Sequence, residues 1–230
     1  MTAVSEKYLS GNAQRVLDIG CGGGRLTVAL AARGYEVAAY DLNESCIAYV
    51  QKRLRRRGLD ADVVVGDMRE FVTTPKCDIA INTVSTFRHL LSDNDALFHL
   101  ECTAQSVRRG GIYILGLHLL PPDADLDDEE HWVARHSRTT VDVTMRVRNA
   151  SRKSRLETLR FTLKVQSVNN NFAIESDFKM RLYSAAQLKS LLSESDEWEL
   201  VDVFDYWYDI EQPLVLNNEL GDTVCVLRRK

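Results

Sequence analysis

The chain has no Cys-x-x-Cys pair. Its five cysteines, Cys21, Cys46, Cys77, Cys102 and Cys225, are odd in number and widely spaced. That excludes a zinc ribbon and a dithiol redox motif, and it fits the reduced thiols of a cytoplasmic protein. No apolar run approaches the ~18 residues that read as a membrane span. Glu6 and Lys7 fall where a secretory leader would need its apolar stretch. A cytoplasmic location with no membrane partner is therefore expected. Positive charge is not in excess: 29 Lys and Arg against 33 Asp and Glu leave a net charge of −4. No whole-molecule field draws the chain to nucleic acid. The histidines and cysteines lack metal-ligand spacing, so no metal site is expected. Internal repeats and low-complexity segments are also absent.

What is present is an ordinary globular composition, 45% hydrophobic and 27% charged over 230 residues. That length supports one domain, residues 1–230, with a sizeable core. The first two-thirds alternates strand and helix. Strand 14–19 leads to helix 25–33, strand Tyr35–Tyr40, and helix 44–57, which closes on Arg55-Arg56-Arg57 before Gly58. Strands Ala61–Val65 and Cys77–Asn82 follow. A helix opening at Ser92 runs to Arg109-Gly110-Gly111, with His99 on its exposed side, and strand Ile112–Leu117 comes next. Such alternation predicts an α/β fold: a mostly parallel seven-stranded sheet with helices on both faces. In these sheets ligands sit beyond the carboxyl ends of the strands, where strand order reverses.

After Pro121-Pro122 the pattern changes. Residues 123–130 hold six acids and read as a loop. Three period-two stretches follow, through Val141–Val147, Leu159–Val165 and Phe172–Leu182, an antiparallel meander with one apolar face. Residues 123–183 thus read as an insertion. Ser184 and Gln187 form a capping box for helix 185–193. Glu199–Tyr206 and Thr223–Arg228 supply the last two strands of the main sheet.

The densest chemical signal is Val16-Leu17-Asp18-Ile19-Gly20-Cys21-Gly22-Gly23-Gly24, a buried strand running into a glycine turn and then a helix. Glycines let the backbone take positive φ and lie against a ligand, and the following helix aims free N–H groups at the same place. The dinucleotide fingerprint fails because its sixth position is Arg25, and no Gly-Lys-Ser or Gly-Lys-Thr makes a phosphate loop. An acid beside the turn would repel pyrophosphate and attract an ammonium group. With Asp18, Gly20, Gly22 and Gly24 spaced in this way, the chain resembles the class I methyltransferases that use S-adenosylmethionine, whose fold is Rossmann-like.

The resemblance extends over about residues 12–118 and implies roles for further positions. Asp41, with Leu42 beside it, would accept from both ribose hydroxyls; a carboxylate offers two acceptor oxygens to a vicinal diol. Asp67 would accept from the adenine amino group while Met68 packs on the ring. Main-chain carbonyls at Asn82 and Thr83 would hold the methionine ammonium group, and Cys21 lies within the glycine turn. S-adenosylmethionine is the implied cofactor.

Its sulfonium already activates the methyl group, so the protein chiefly aligns donor and acceptor and excludes water. A base helps when the acceptor is a hydroxyl or a protonated amine. His89, just after the fourth strand, and His118, just after the fifth, are the candidate catalytic bases; imidazole titrates near roughly 6.5. Arg88 and Arg181 could meet an acidic substrate but read better as solvated or ion-paired, and Tyr206-Trp207-Tyr208 could wall an apolar pocket, although core and rim packing is the commoner role of such a cluster. The meander resembles, in topology, the inserted strands of small-molecule members such as amino-sugar N-methyltransferases. The expected partner is thus a small-molecule methyl acceptor, methylated at N or O.

Two alternatives remain open. Residues 135–164 carry nine Lys or Arg against two acids, which could serve an RNA methyltransferase, although a solvated, partly neutralised face is the stronger reading. A non-catalytic S-adenosylmethionine-binding partner module would share every cofactor residue. The exposed meander also offers a surface for a homodimer.

Overall fold

The computed structural model describes residues 2–230. Five strands and their crossovers come first: β1 (Arg15–Ile19), α2 (Arg25–Ala31), β2 (Glu36–Asp41), α3 (Glu44–Arg57), β3 (Asp62–Val65), β4 (Cys77–Asn82), a 3-10 turn (Thr86–His89), α4 (Asp93–Ser106) and β5 (Val107–His118). A short helix α1 (Thr2–Tyr8) precedes them. Strands β6 (Glu129–His136), β7 (Thr139–Ser151), β8 (Leu156–Gln166) and β9 (Asn171–Arg181) form the insertion. Helix α5 (Ala185–Glu194), β10 (Trp198–Phe204) and β11 (Asp222–Arg229) complete the chain.

The main sheet has the order β10-β11-β5-β4-β1-β2-β3. Strands β3, β2, β1, β4 and β5 are parallel neighbours, and β11 runs antiparallel to both β5 and β10. The anticipated mostly parallel seven-stranded sheet is what forms. Strand order reverses between β1 and β4, so the loops after these two strands share the crevice where ligands bind in such sheets.

Each face of the sheet carries its own apolar layer. On one, Leu17, Ala80, Tyr113 and Leu115 pack with Leu100 and Ala104 of α4 and Leu188 and Leu192 of α5. On the other, Val16, Ile79, Ile81 and Ile112 meet Tyr8 of α1, Val28 and Leu30 of α2, and Ile47, Val50 and Leu54 of α3. Local signals end the helices as read: Asn43 accepts from the N–H groups of Ser45 and Cys46 to start α3, Gly58 closes it in the left-handed region, and the Ser184–Gln187 capping box opens α5.

The structure differs from the sequence reading in four places. Helix α1 was not foreseen. Strand β6 occupies part of the expected acidic loop, so the insertion is a four-stranded sheet of order β6-β7-β8-β9. Every residue of β6 is exposed, which removes the burial alternation that announces a strand. Helix α4 ends at Ser106 and β5 begins at once, Val107 being already extended; Gly111, within β5, passes too close to the Asp78 carbonyl for any side chain. Finally, His99 is buried, not exposed. Its Nδ1 lies 2.9 Å from the Met68 carbonyl oxygen and its Nε2 2.8 Å from the Tyr113 hydroxyl. Burial holds its pKa down at about 4, so the ring is neutral at neutral pH.

The inserted sheet is pinned to the main one by charge. Arg88 of the 3-10 turn donates to Glu157 of β8 and, 2.8 Å away, to the Arg181 carbonyl of β9. Arg181 and Arg155 each reach Asp93 at the start of α4 at 2.8 Å. Of the two states read from sequence for Arg88 and Arg181, solvated or ion-paired, both residues take the second and are buried.

Candidate active site

The glycine turn sits at the order reversal, after β1. Gly20, Gly22 and Gly24 all have positive φ, but for different reasons. A Cβ on Gly20 would lie 2.5 Å from the Thr86 methyl, and one on Gly24 would lie 2.6 Å from Val50. Those two glycines allow the turn to pack against its own protein. A Cβ on Gly22 would meet nothing within 4 Å. That residue faces open space, as a backbone cradle for a ligand must.

Asp41, at the end of β2, closes the cradle. Its Oδ2 accepts the Gly22 N–H at 2.8 Å and its Oδ1 accepts the Asn43 N–H at 2.9 Å. Each oxygen keeps a lone pair for a further donor. Leu42 next to it is 72% exposed. Asp18 is placed differently. It is buried, it accepts the Thr27 hydroxyl at 2.6 Å, and desolvation raises its pKa to about 6. This carboxylate ties the turn to α2 from below. Burial, with the charges of Asp18 and Asp41 nearby, pushes the Cys21 thiol up to about 12, so it stays protonated.

Asp67 lies after β3 with both carboxylate oxygens engaged by the Arg69 guanidinium, at 2.6 to 3.1 Å, which keeps it below the usual carboxylate range. A further donor would have to share it with Arg69. Met68 packs on the core beside it, and its carbonyl is the one that His99 meets. Asn82, at the end of β4, is fully buried, and neither atom of its amide has a hydrogen-bond partner among the described residues. Thr83 follows at the edge of the cleft.

Beyond Thr83 the backbone is strained. Val84 and Ser85 both take left-handed conformations, φ 61° and 63°. A β-branched residue there is a genuine outlier, and such strain clusters at functional sites. Two cavities open on either side of this corner, and Val84 lines both. One, about 550 Å³, is apolar and lies between α1, α2 and the sheet, with Thr83, Leu26, Ile114 and Tyr208 in its wall. The other, about 570 Å³, lies between the carboxyl edge of the main sheet and the apolar face of the insertion.

This second chamber gathers the chemistry. Its floor is Met145, Val147, Leu159, Phe161, Phe178 and Met180, which occupy matching parity on β7, β8 and β9. Its rim carries Arg88, His89, His118, Asp125, Asp128, Glu130, Tyr206 and Asp222. Both candidate histidines are therefore in one chamber. Burial and the neighbouring Arg88 hold His89 below its ordinary pKa, and its ring stands 5.6 Å from that of Phe178. His118 Nδ1 lies 3.1 Å from Asp222 Oδ1. Of the aromatic triplet, Tyr206 lines this chamber, Tyr208 lines the apolar one, and Trp207 is 88% exposed. Sequence reasoning missed Val84, Ser85, Thr86 and Asp222. Only the chain folding back over the β4 corner gives them a setting.

Four of the nine basic residues in 135–164 have partners. Arg146 pairs with Glu129, Arg160 forks onto Asp177, Arg155 meets Asp93, and Arg152 donates to the Pro121 and Ala124 carbonyls. Among the described residues no cluster of His, Cys, Asp or Glu has metal-binding geometry, and no helix is long and apolar enough to cross a membrane.

A parallel sheet of this order with a glycine turn after its first strand and an acid after its second defines the class I methyltransferase fold. Residues 16–111 match the family described as methyltransferase domain. Among curated relatives, a ubiquinone biosynthesis O-methyltransferase of Azoarcus sp. (strain BH72) is 29% identical over 98 residues, 43% of this chain and 41% of that protein. A methyltransferase of Geobacillus sp. (strain WCH70) is 24% identical over 113 residues, 49% of this chain and 46% of that protein. The chain thus spans less than half the length of these relatives. Solved structures share the whole fold. An S-adenosylmethionine-dependent methyltransferase from Clostridium acetobutylicum matches with a TM-score of 0.77 at 13% identity, covering 94% of this chain and 83% of that one. An amino pentose methyltransferase from Micromonospora echinaspora, solved with its methyl donor, matches at 0.74 and 17% identity, covering 95% and 84%.

Proposed function

We propose that this protein transfers a methyl group from S-adenosylmethionine to a nitrogen or oxygen of a small molecule. The reading rests on one observation above the others. The Gly22 main chain, held by Asp41, faces open space at the order reversal of the sheet, and a chamber carrying two histidines opens beyond the neighbouring strand ends. The cradle suits a nucleoside: Asp41 retains acceptor capacity for ribose hydroxyls, exposed Leu42 and Met68 offer apolar surface for a base, and the unpartnered Asn82 amide supplies polar groups beside the crevice. Asp67 could join through the oxygens it now shares with Arg69. When bound, the cofactor supplies a methyl carbon already activated by its sulfonium.

This chain's own residues do the rest. Val84 and Ser85 form the boundary between cradle and chamber, the meander excludes water, and a histidine of the chamber takes the acceptor's proton. The relatives and structural neighbours named above include methyltransferases of a quinone pathway and of an amino sugar, which supports a small acceptor over RNA. The reading treats residues 1–230 as one domain with residues 123–183 inserted, and the five free cysteines support a reducing, cytoplasmic setting.

Calorimetric titration with S-adenosylmethionine, followed by a methyl-transfer screen over amines, phenols and carboxylates, tests it. Binding with turnover of a small acceptor is expected. Binding without any turnover would favour the non-catalytic module, and tight RNA binding that falls steeply with salt would favour the RNA enzyme.

A further inference from the structure

We infer that His118 and Asp222 work as a dyad, with His118 Nε2 as the proton acceptor and Asp222 as the residue that positions it; the inference rests on the methyl-transfer reading for its reaction, but not for its geometry. Asp222 belongs to no sequence motif and lies 104 positions from His118.

Register brings the two together. In the antiparallel β5–β11 ladder His118 is the direct partner of Asp222, the last pair before both strands leave the sheet. Directly paired residues project to the same face. Here that face is the wall of the 570 Å³ chamber, which both residues line. One hydrogen bond holds the imidazole, Asp222 Oδ1 lying 3.1 Å from Nδ1. The main chain that carries the ring is fixed by the His118 backbone N–H donating to Ser85 Oγ at 3.0 Å and by the Leu119 N–H donating to the Gly221 carbonyl at 2.8 Å. Gly221 lies flat behind the ring: a Cβ there would stand 3.6 Å from His118 Cε1.

The chemistry follows from the donor rules. An ionised carboxylate can only accept, so the neutral ring carries its hydrogen on Nδ1 and its lone pair on Nε2. Asp222 then stabilises the imidazolium once Nε2 has been protonated. In the transfer, the acceptor's lone pair forms the bond to the methyl carbon and the carbon–sulfur pair stays on sulfur. The proton leaving the acceptor N or O goes to Nε2, and water later removes it. His89 is the poorer base. No hydrogen bond orients its ring among the described residues, and Arg88 and burial both disfavour its protonated form.

Several other groups face His118. The Tyr206 hydroxyl lies beyond β10, Asp125, Asp128 and Glu130 come from the start of the insertion, and His89 and Arg88 come from the 3-10 turn. Arg88 is already matched by Glu157.

The test is nitrogen-15 NMR of histidine-labelled protein without cofactor, with His118→Gln used for assignment. His118 in the unaltered protein should show the Nδ1-protonated tautomer. Asp222→Asn should mix the tautomers, and Asp222→Glu should restore the single one. Asp222→Asn should lower kcat/KM severalfold and Asp222→Glu should recover it, with cofactor affinity by calorimetry unchanged in both. A tautomer indifferent to Asp222→Asn would overturn the dyad, as would a kcat/KM that falls in His89→Gln and is unchanged in His118→Gln. Failure of the unaltered protein to bind S-adenosylmethionine would instead remove the methyl-transfer reading, while the NMR result still decides the pairing.

Discussion

The glycine-turn half of the molecule and the inserted half reach a defined shape by opposite means. Around the turn, almost everything is main chain and close packing. Gly20 and Gly24 are dictated by neighbouring side chains, Asp18 is anchored to Thr27, and the apolar layers on both faces leave little room for change. The insertion has a thin apolar floor, wide exposure along β6 and β9, and a few charged pins at its base. A buried core resists change everywhere at once, whereas a pinned sheet depends on a handful of contacts.

The strongest way to break that contrast is at the pins. Glu157→Ala would leave Arg88 buried without its counter-charge, at a cost of about 3–5 kcal/mol. Chemical unfolding should show the loss, and protease cleavage should appear first within 129–181 while the main sheet stays protected. Global unfolding with no such preference would mean that the two halves stand or fall together. Next comes Gly20→Ala, which combines left-handed strain with the Thr86 clash and should destabilise by about 2–3 kcal/mol. Gly22→Ala carries the strain alone, about 1 kcal/mol, yet should lose more cofactor affinity than stability because its side chain enters the ligand's space. Equal effects of the two on binding would show that Gly22 is not the cradle. Asp41→Ala should weaken cofactor binding by about 1–3 kcal/mol in calorimetry, and unaltered affinity would remove the ribose assignment.

A separate effect is a pH dependence confined to the core. His99 titrates near 4 when folded against 6.5 when free. The unfolded chain therefore binds more protons between those values, and this contribution to stability is complete above 6.5 and is lost as pH falls towards 4. Asp18 has the opposite sign. Its folded value of about 6 lies above the free 3.8, so it disfavours folding above pH 6 and ceases to do so as pH falls to 3.8. Denaturation midpoints across this range should fall less steeply with acid in His99→Phe, and more steeply in Asp18→Asn, than in the unaltered protein.

The same contrast explains what could be read in advance. Strands β1 to β5 and their helices carry periodic apolar residues because each has one strongly buried face, and the turn carries its glycines because backbone conformation demands them. The cap at Ser184 is local and was legible for that reason. Strand β6 was hidden because it buries nothing. The burial of His99 was hidden because its two partners, Met68 and Tyr113, lie 31 and 14 residues away. The link between His118 and Asp222 depends on the register of a strand that closes the sheet more than a hundred residues later. The cofactor side of the site was written in contiguous residues, and the chamber side was written in pairings.

Because β7, β8 and β9 present alternate residues to the chamber, its interior and its outer surface are set by different, interleaved letters of the same strands. Exchanging Val147, Phe161 or Phe178 would reshape the hollow without touching the arginines that hold the sheet in place or the bend that cradles the ligand. The protein thus keeps a contour that can drift residue by residue, hung from a frame that cannot.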